Sequence, residues 1–243
     1  MLTRLRLLLW ATALTLAGEV CAGGALPRFS AQSAGAAIAG WTPWTLGGKA
    51  APADFRLTGL DGQTVLRAEA VNAASALIHA GRFDTAATPW LNWRWRADRL
   101  PTGNRFATRD GDDYVLRVYV LFDYDIAKLP FGARTKLRIA RALHGDQVPA
   151  AVLCYVWDNR VQPGTRAWSA YTDRVRMIAV EGDGSPTGVW RSASRNLRDD
   201  FREAFGEDAP PVIGVVVAAD TDNTAGSSLG HFGDLSLDAQ PLP

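Results

Sequence analysis

Short runs of alternating apolar and polar residues, separated by glycine, proline and aspartate clusters, recur from about residue 41 to the end of the chain. Alternation with a period of two is typical of β-strands, and turn residues at short intervals let neighbouring strands pair. About nine such runs predict an all-β, jelly-roll-like β-sandwich. The runs cover residues 55–58, 65–70, 75–79, 91–96, 114–122, 151–157, 174–180, 212–219 and 233–237.

The first two of these runs have the signature of a β-hairpin. Asp61-Gly62 separates them, and both residue types tolerate the positive φ angles that a two-residue hairpin turn requires. We therefore expect the two runs to pair as adjacent antiparallel strands.

One or two short helices interrupt the strands. Residues 135–143 have a partial helical spacing of apolar side chains, whereas residues 196–205 place Leu197, Phe201 and Phe205 on one stripe. Gly206 follows the second segment directly and is expected to end that helix.

The N-terminal 22 residues have the pattern of a secretory signal peptide. Arg4 and Arg6 precede an apolar run at residues 7–16, and Val20-Cys21-Ala22 provides small residues for cleavage. The apolar run is too short to span a membrane, which takes about 20 residues. We therefore predict a signal peptide at 1–22, a small-residue linker at 23–40 and a single sandwich domain at 41–243. The mature protein is expected in the periplasm or outside the cell, without membrane insertion.

The charge balance argues against polyanionic partners. Removal of Arg4, Arg6 and Glu19 leaves 24 basic and 24 acidic residues. A net charge near zero offers no general attraction to nucleic acid. Cys154 remains as the one cysteine after cleavage, and its apolar surroundings predict a buried, unreactive thiol. The oligomeric state stays open.

Two acidic loops flank predicted strands. Asp110, Asp112 and Asp113 precede the run at 114–122, and Asp220 and Asp222 follow the run at 212–219. Oxygen-rich loops suit calcium, but Asp and Asn also stabilise turns through their own backbone hydrogen bonds. The spacing matches no complete calcium-binding loop. We therefore predict no cofactor and no metal ligands, and keep calcium as the alternative.

Aromatic residues suggest a possible binding face. In the run at 114–122, Tyr114, Leu116, Val118, Val120 and Phe122 fall on one face, and Val115, Arg117, Tyr119 and Leu121 fall on the other. Eight tryptophans remain after cleavage, and an exposed indole can stack on a sugar ring. The second face either forms an aromatic and polar groove or is a covered outer face. We expect most tryptophans in the core and two or three at a surface.

Several segments in order resemble an uncharacterised family of exported bacterial proteins, catalogued as domain of unknown function 3047. The resemblance spans about residues 40–238 and implies an all-β fold without an established activity. Its segments are Val65-Leu66-Arg67-Ala68-Glu69 with Ser75-Ala76, Pro89-Trp90-Leu91-Asn92-Trp93-Arg94-Trp95, Gly111-Asp112-Asp113-Tyr114, Arg117-Val118-Tyr119, Tyr155-Val156-Trp157, Arg195-Asn196-Leu197, Asp220-Thr221-Asp222-Asn223-Thr224 and Gly233-Asp234.

The polar members of these segments are the candidate ligand-binding residues, because loops at strand ends carry function in sandwiches. The candidates are Asp112, Asp113, Arg117, Tyr119, Arg195, Asn196, Asp220, Asp222 and Asn223. The alternative is that these residues hold strand ends in register.

Three functions are compatible with this pattern. The first is binding of a glycan or another polar ligand of the cell envelope. The second is an envelope hydrolase or lyase with Asp112, Asp113 or Asp222 as general base, and the third is a structural envelope component with a protein partner. The sequence names no catalytic residue.

Overall fold

The computed structural model describes residues 25–44, 50–144 and 150–243. The predicted signal peptide lies outside the described residues, as does the beginning of the expected linker. No helix in these three segments is long and apolar enough to cross a membrane.

In the described residues, twelve strands form two sheets that pack face to face as a β-sandwich. The seven-stranded sheet has the order β1-β4-β11-β6-β7-β9-β8, and the five-stranded sheet has the order β10-β5-β12-β3-β2. Neighbouring strands are antiparallel, except that β7 and β9 are parallel. The strands are β1 Thr42–Trp44, β2 Asp54–Leu60, β3 Gln63–Val71, β4 Ala74–Phe83, β5 Trp90–Arg99, β6 Tyr114–Phe122, β7 Val152–Trp157, β8 Arg166–Ser169, β9 Thr172–Glu181, β10 Arg191–Asn196, β11 Val212–Asp220 and β12 Ser227–Asp238.

The predicted all-β sandwich is confirmed, and each of the nine predicted runs corresponds to a strand. The three strands that the sequence did not predict, β1, β8 and β10, are all edge strands. The side chains of these three edge strands are covered less than those of the central strands, so fewer of them need to be apolar. In β10, for instance, only Ala193 is buried.

Local signals in the sequence determine the turns and helix ends as expected. Asp61 and Gly62 have φ angles of 50° and 77° and join β2 to β3. Among the residues that the structure describes, the α-helices are α1 Phe131–His144 and α2 Leu197–Phe205. Asn196 caps α2 by accepting hydrogen bonds from the backbone N–H groups of Arg198 and Asp199, and Gly206 ends it at a φ of 74°.

A β-bulge near the start of β6 changes which residues face the core. Ala218 lies opposite Arg117 and Asp220 lies opposite Tyr114, so β6 has one residue more than β11 between these pairs. The extra residue reverses the alternation. Val115 therefore lies in the main core, and Tyr114 packs on the outer side of the seven-stranded sheet, contrary to the predicted faces.

Aromatic residues fill the space between the sheets. The ring centroids of Trp93 and Tyr155 lie 5.4 Å apart, and those of Trp95 and Trp157 lie 5.6 Å apart. Trp41 is also buried, so four of the eight tryptophans lie in the core and four are half-buried. The half-buried ones are Trp44, Trp90, Trp168 and Trp190.

Part of the segment that we expected to be a linker packs against the sandwich. Leu26 and Phe29 are buried, and the Phe29 ring stacks on Trp41 at 5.3 Å. The backbone N–H of Ser30 donates a hydrogen bond to Asp234 Oδ1 at 2.9 Å. Asp234 thus attaches this segment to β12.

Candidate functional site

A buried arginine organises one end of the outer face of the seven-stranded sheet. The side chain of Arg117, on β6, is 4% exposed. Its Nε donates to Asp220 Oδ1 at 3.0 Å, and its Nη1 donates to Asp112 Oδ1 at 3.3 Å and to the Tyr119 hydroxyl at 3.2 Å. Nη2 donates to Asp220 Oδ2 and to the Asp112 carbonyl oxygen. The guanidinium also lies 4.4 Å from the ring centroid of Tyr114.

The carboxylates of Asp112 and Asp220 share this one cation. Burial raises the pKa of both groups, that of Asp220 to about 7, and the attraction of Arg117 only partly opposes the effect. Burial alone would lower the pKa of Arg117, but the two carboxylates outweigh it and hold that pKa well above its ordinary value. Arg117, Asp112 and Asp220 form what we call the Arg117 cluster, and its single cation faces two carboxylates. The cluster therefore has a net negative charge when both acids are ionised, and uptake of one proton near neutral pH neutralises it.

Asp113 holds the turn between β11 and β12. Its Oδ1 accepts from the backbone N–H of Asn223 at 3.0 Å, and its Oδ2 accepts from the N–H of Thr224 at 2.8 Å and from the Thr224 hydroxyl. Asp113 is fully buried. The two acidic loops therefore contact each other. The Asp113 carboxylate of the first loop accepts hydrogen bonds from the backbone of the second loop and stabilises its turn.

Asp113, Asp220 and Asp222 each place a carboxylate oxygen within 4.8 Å of the others. Both oxygens of Asp113 and both of Asp220 already accept hydrogen bonds from N–H or O–H groups. Asp222 is exposed. Asp113 and Asp220 each accept three hydrogen bonds, out of about four acceptor sites on an ionised carboxylate, so this arrangement of carboxylates fits turn formation better than it fits calcium.

Aromatic side chains continue from this cluster across the sheet. Trp44 on β1 and Tyr119 are both half-buried, with ring centroids 6.4 Å apart and ring planes inclined at 59°. Ala76 and Ala218 lie on the strands between Trp44 and Arg117, so small side chains separate the larger ones. Val216 is buried in a cluster against which Trp44 and Tyr119 pack, and Cys154 is buried as well. Burial raises the pKa of the Cys154 thiol to about 12, as expected for an unreactive cysteine.

Seven of the nine predicted site residues lie in or beside this cluster, and two lie elsewhere. Arg195 is on β10 of the other sheet, where its Nε donates to Asp200 Oδ2 at 2.9 Å. Asn196 is the N-cap of α2. Arg195 and Asn196 therefore lie apart from the other seven candidates, because β10 is the edge of the five-stranded sheet.

The sequence reasoning missed four residues of the site. Thr224 binds Asp113, and Tyr114 lies against Arg117. Tyr171 accepts a hydrogen bond from Asn223 Nδ2 at 3.1 Å, and Trp44 contacts Tyr119. Thr224 lies in the segment Asp220-Thr221-Asp222-Asn223-Thr224 and could have been included among the candidate residues. The bulge in β6 places Tyr114 beside Arg117, and the pairing of the edge strand β1 with β4 places Trp44 near Tyr119. Neither feature has a signal in the sequence.

The sequence matches a family described as "Protein of unknown function (DUF3047)" over residues 39–236. The chain belongs to this family. Membership confirms the resemblance, and the matched region of this DUF3047 protein includes all nine predicted site residues.

Two solved structures are similar to this DUF3047 protein. One is a loop-swap mutant of Xyn11A from Neocallimastix patriciarum, with 11% identity, a TM-score of 0.38 and coverage of 87% of this chain and 97% of that chain. The other is the family 11 xylanase from the same organism, with 11% identity, a TM-score of 0.36 and coverage of 82% and 92%. Comparison with curated proteins gives no match.

Proposed function

We propose that this protein binds a glycan on the outer face of the seven-stranded sheet. The observation that carries the proposal is the continuous line from the half-buried Trp44 ring to Tyr119, and from the Tyr119 hydroxyl to Arg117. Flat aromatic faces stack on the apolar faces of sugar rings at little cost in side-chain entropy. In this arrangement Trp44 provides the stacking surface, and Asp112, whose side chain is 14% exposed, provides an acceptor for a sugar hydroxyl.

The rigidity of the polar part supports binding. Arg117 is held by Asp112, Asp220 and Tyr119, so the carboxylates keep their positions before a ligand arrives. A preorganised site avoids the entropy cost of ordering long side chains on binding. The predicted export would bring the site into contact with polysaccharides of the envelope or of the surroundings.

A ligand screen tests the proposal. Cellohexaose, chitohexaose, laminarihexaose and trigalacturonic acid are added to the protein, and the melting temperature is measured. A ligand at 100 times its dissociation constant stabilises the protein by about 2.7 kcal/mol. The affinity of a positive glycan is then measured by calorimetry.

Two substitutions distinguish binding at this face from binding elsewhere. Trp44→Ala is expected to weaken binding by about tenfold or more, and Trp44→Tyr is expected to restore most of the affinity. Trp190→Ala is the matched control, because Trp190 is half-buried next to Arg94, which lies on the five-stranded sheet. Unchanged affinity in Trp44→Ala, or a screen in which no glycan binds, would contradict the proposal.

A second candidate function, hydrolysis or elimination on a bound glycan, is favoured by Asp112. Burial raises the pKa of this carboxyl group, and its side chain is still 14% exposed. A partly accessible carboxylate with a perturbed pKa is a candidate general base. Release of shorter sugars that Asp112→Asn abolishes, while binding persists, would support this function over binding alone.

A further inference from the structure

A cavity of about 540 Å³ lies beside the cluster. This volume is within the range of small-ligand pockets. A Cβ atom added to Gly103 would lie 2.8 Å from Thr224 Cβ, so the cavity wall touches the turn that Asp113 holds. The lining residues are Gly103, Asn104, Arg105, Phe106, Arg160 and Val161.

The lining is rich in hydrogen-bond donors. Arg105 pairs with Asp110, and both side chains are largely exposed, at 59% and 72%. An exposed pair of this kind contributes little free energy, so another anion can take the place of Asp110. Arg160 gives one N–H to the Thr102 carbonyl oxygen and has further donors on its guanidinium. Two guanidinium groups fit a ligand with acceptor oxygens, above all a carboxylate.

Asn104 is a buried member of the same lining. The residue is 1% exposed, and its Nδ2 donates to Asp158 Oδ2 at 3.3 Å. Its Oδ1 has no donor within the part of the chain that the structure describes. A buried carbonyl oxygen without a donor is unfavourable. Asp158 itself is buried and also accepts from the backbone N–H groups of Arg160 and Val161.

Phe106 contributes an apolar surface. It is half-buried, and its ring lies edge-on to that of Tyr114 at 6.4 Å. The residues that line the cavity therefore include one aromatic residue and two arginines. From this combination we infer that the cavity binds a sugar residue that carries a carboxylate group. The inference rests on the proposed glycan binding and specifies an acidic glycan as the ligand.

Trigalacturonic acid and its fully methyl-esterified form share one sugar backbone and differ in the charge of the carboxyl groups and in the added methyl groups, and they serve as the two probes. Calorimetry on the purified protein is expected to give at least a tenfold higher affinity for the acid. The double variant Arg105→Ala/Arg160→Ala is expected to lose this preference and to bind the ester as the unsubstituted protein does. Arg82→Ala is the matched control, since Arg82 is an exposed arginine on β4 that pairs with Asp123.

The outcomes separate the two proposals. Equal affinity for acid and ester, or a double variant that still prefers the acid, overturns the inference. In either case, affinity that depends on Trp44 still supports glycan binding. Failure of both probes to bind overturns the inference too, and the proposed function then depends on the neutral glycans of the screen. An unchanged melting temperature of the double variant shows that it is folded.

Discussion

Arg117 Nε donates a hydrogen bond to Asp220 Oδ1 at 3.0 Å, and the same oxygen accepts from the backbone N–H of Tyr114 at 3.0 Å. A buried ion pair thus lies where β6 and β11 meet, next to the bulge that reverses the alternation of β6. Desolvation makes such a pair a weak source of stability, but loss of one partner is costly because the other charge stays buried.

Arg117→Met is expected to lower the free energy of unfolding by about 3–5 kcal/mol, because Asp112 and Asp220 then lack their cation. Urea denaturation of the variant measures this loss. In the double variant Arg117→Met/Asp220→Asn, one uncompensated charge is gone and part of the loss is recovered. Additive losses in the double variant would show that the pair is not coupled.

The free energy of unfolding is expected to decrease as the pH rises from about 4 to about 7, because of the titration of Asp220. The folded-state pKa, about 7, exceeds the ordinary value of 3.8, so in this window the folded protein holds a proton that the unfolded chain releases. One such proton contributes a slope of at most about 1.4 kcal/mol per pH unit, and the slope ends above pH 7. Urea denaturation at pH 5 and pH 7 measures it.

Asp220→Asn is expected to remove the part of the pH dependence of stability that Asp220 causes. Asp123→Asn, a substitution of an exposed aspartate, should leave that pH dependence intact. At each pH the free energy of unfolding of the unsubstituted protein is subtracted from that of the variant, so that the effects of other titrating groups cancel. An identical pH slope in Asp220→Asn would mean that Asp220 is already ionised at pH 5.

Asp113→Ala is expected to lower the free energy of unfolding by about 1–3 kcal/mol, because the N–H groups of Asn223 and Thr224 lose their acceptor. Asp222→Ala changes an exposed carboxylate and should stay within about 0.5 kcal/mol. Thermal denaturation compares the two variants. Similar losses in both would indicate that the three carboxylates act together, as metal ligands do.

Addition of a chelator is expected to leave the melting temperature unchanged, because protein donors engage both oxygens of Asp113 and both of Asp220. The measurement compares protein in EDTA with protein in 1 mM calcium chloride. A stabilisation by calcium that Asp222→Ala removes would identify a calcium site instead.

Asn196→Ala is expected to cost about 1 kcal/mol of stability, since α2 loses its N-cap, and Asn196→Asp should restore most of it. Glycan affinity should not change in either variant, because Asn196 is on the edge strand of the other sheet. A loss of glycan affinity without a loss of stability would instead indicate that Asn196 is part of the binding site.

The sequence alone determined the features that depend on neighbours along the chain. Asp61-Gly62 allowed positive φ angles and predicted a hairpin, and Gly206 predicted the end of α2. The nine runs that became strands carry enough apolar residues to indicate burial. The acidic loops could be selected as candidates because turn residues at strand ends are visible in the sequence.

Only the tertiary structure decided what those loops meet and which side chains face them. The bulge in β6 depends on pairing with β11, and it moves Tyr114 to the side of Arg117. Trp44 joins the site because β1 pairs with β4, and edge strands show little apolar alternation. Arg195 matched the other candidates in residue type and motif, yet it belongs to the other sheet. Pairing between distant segments sets these positions, and the pattern within one segment does not encode its partner.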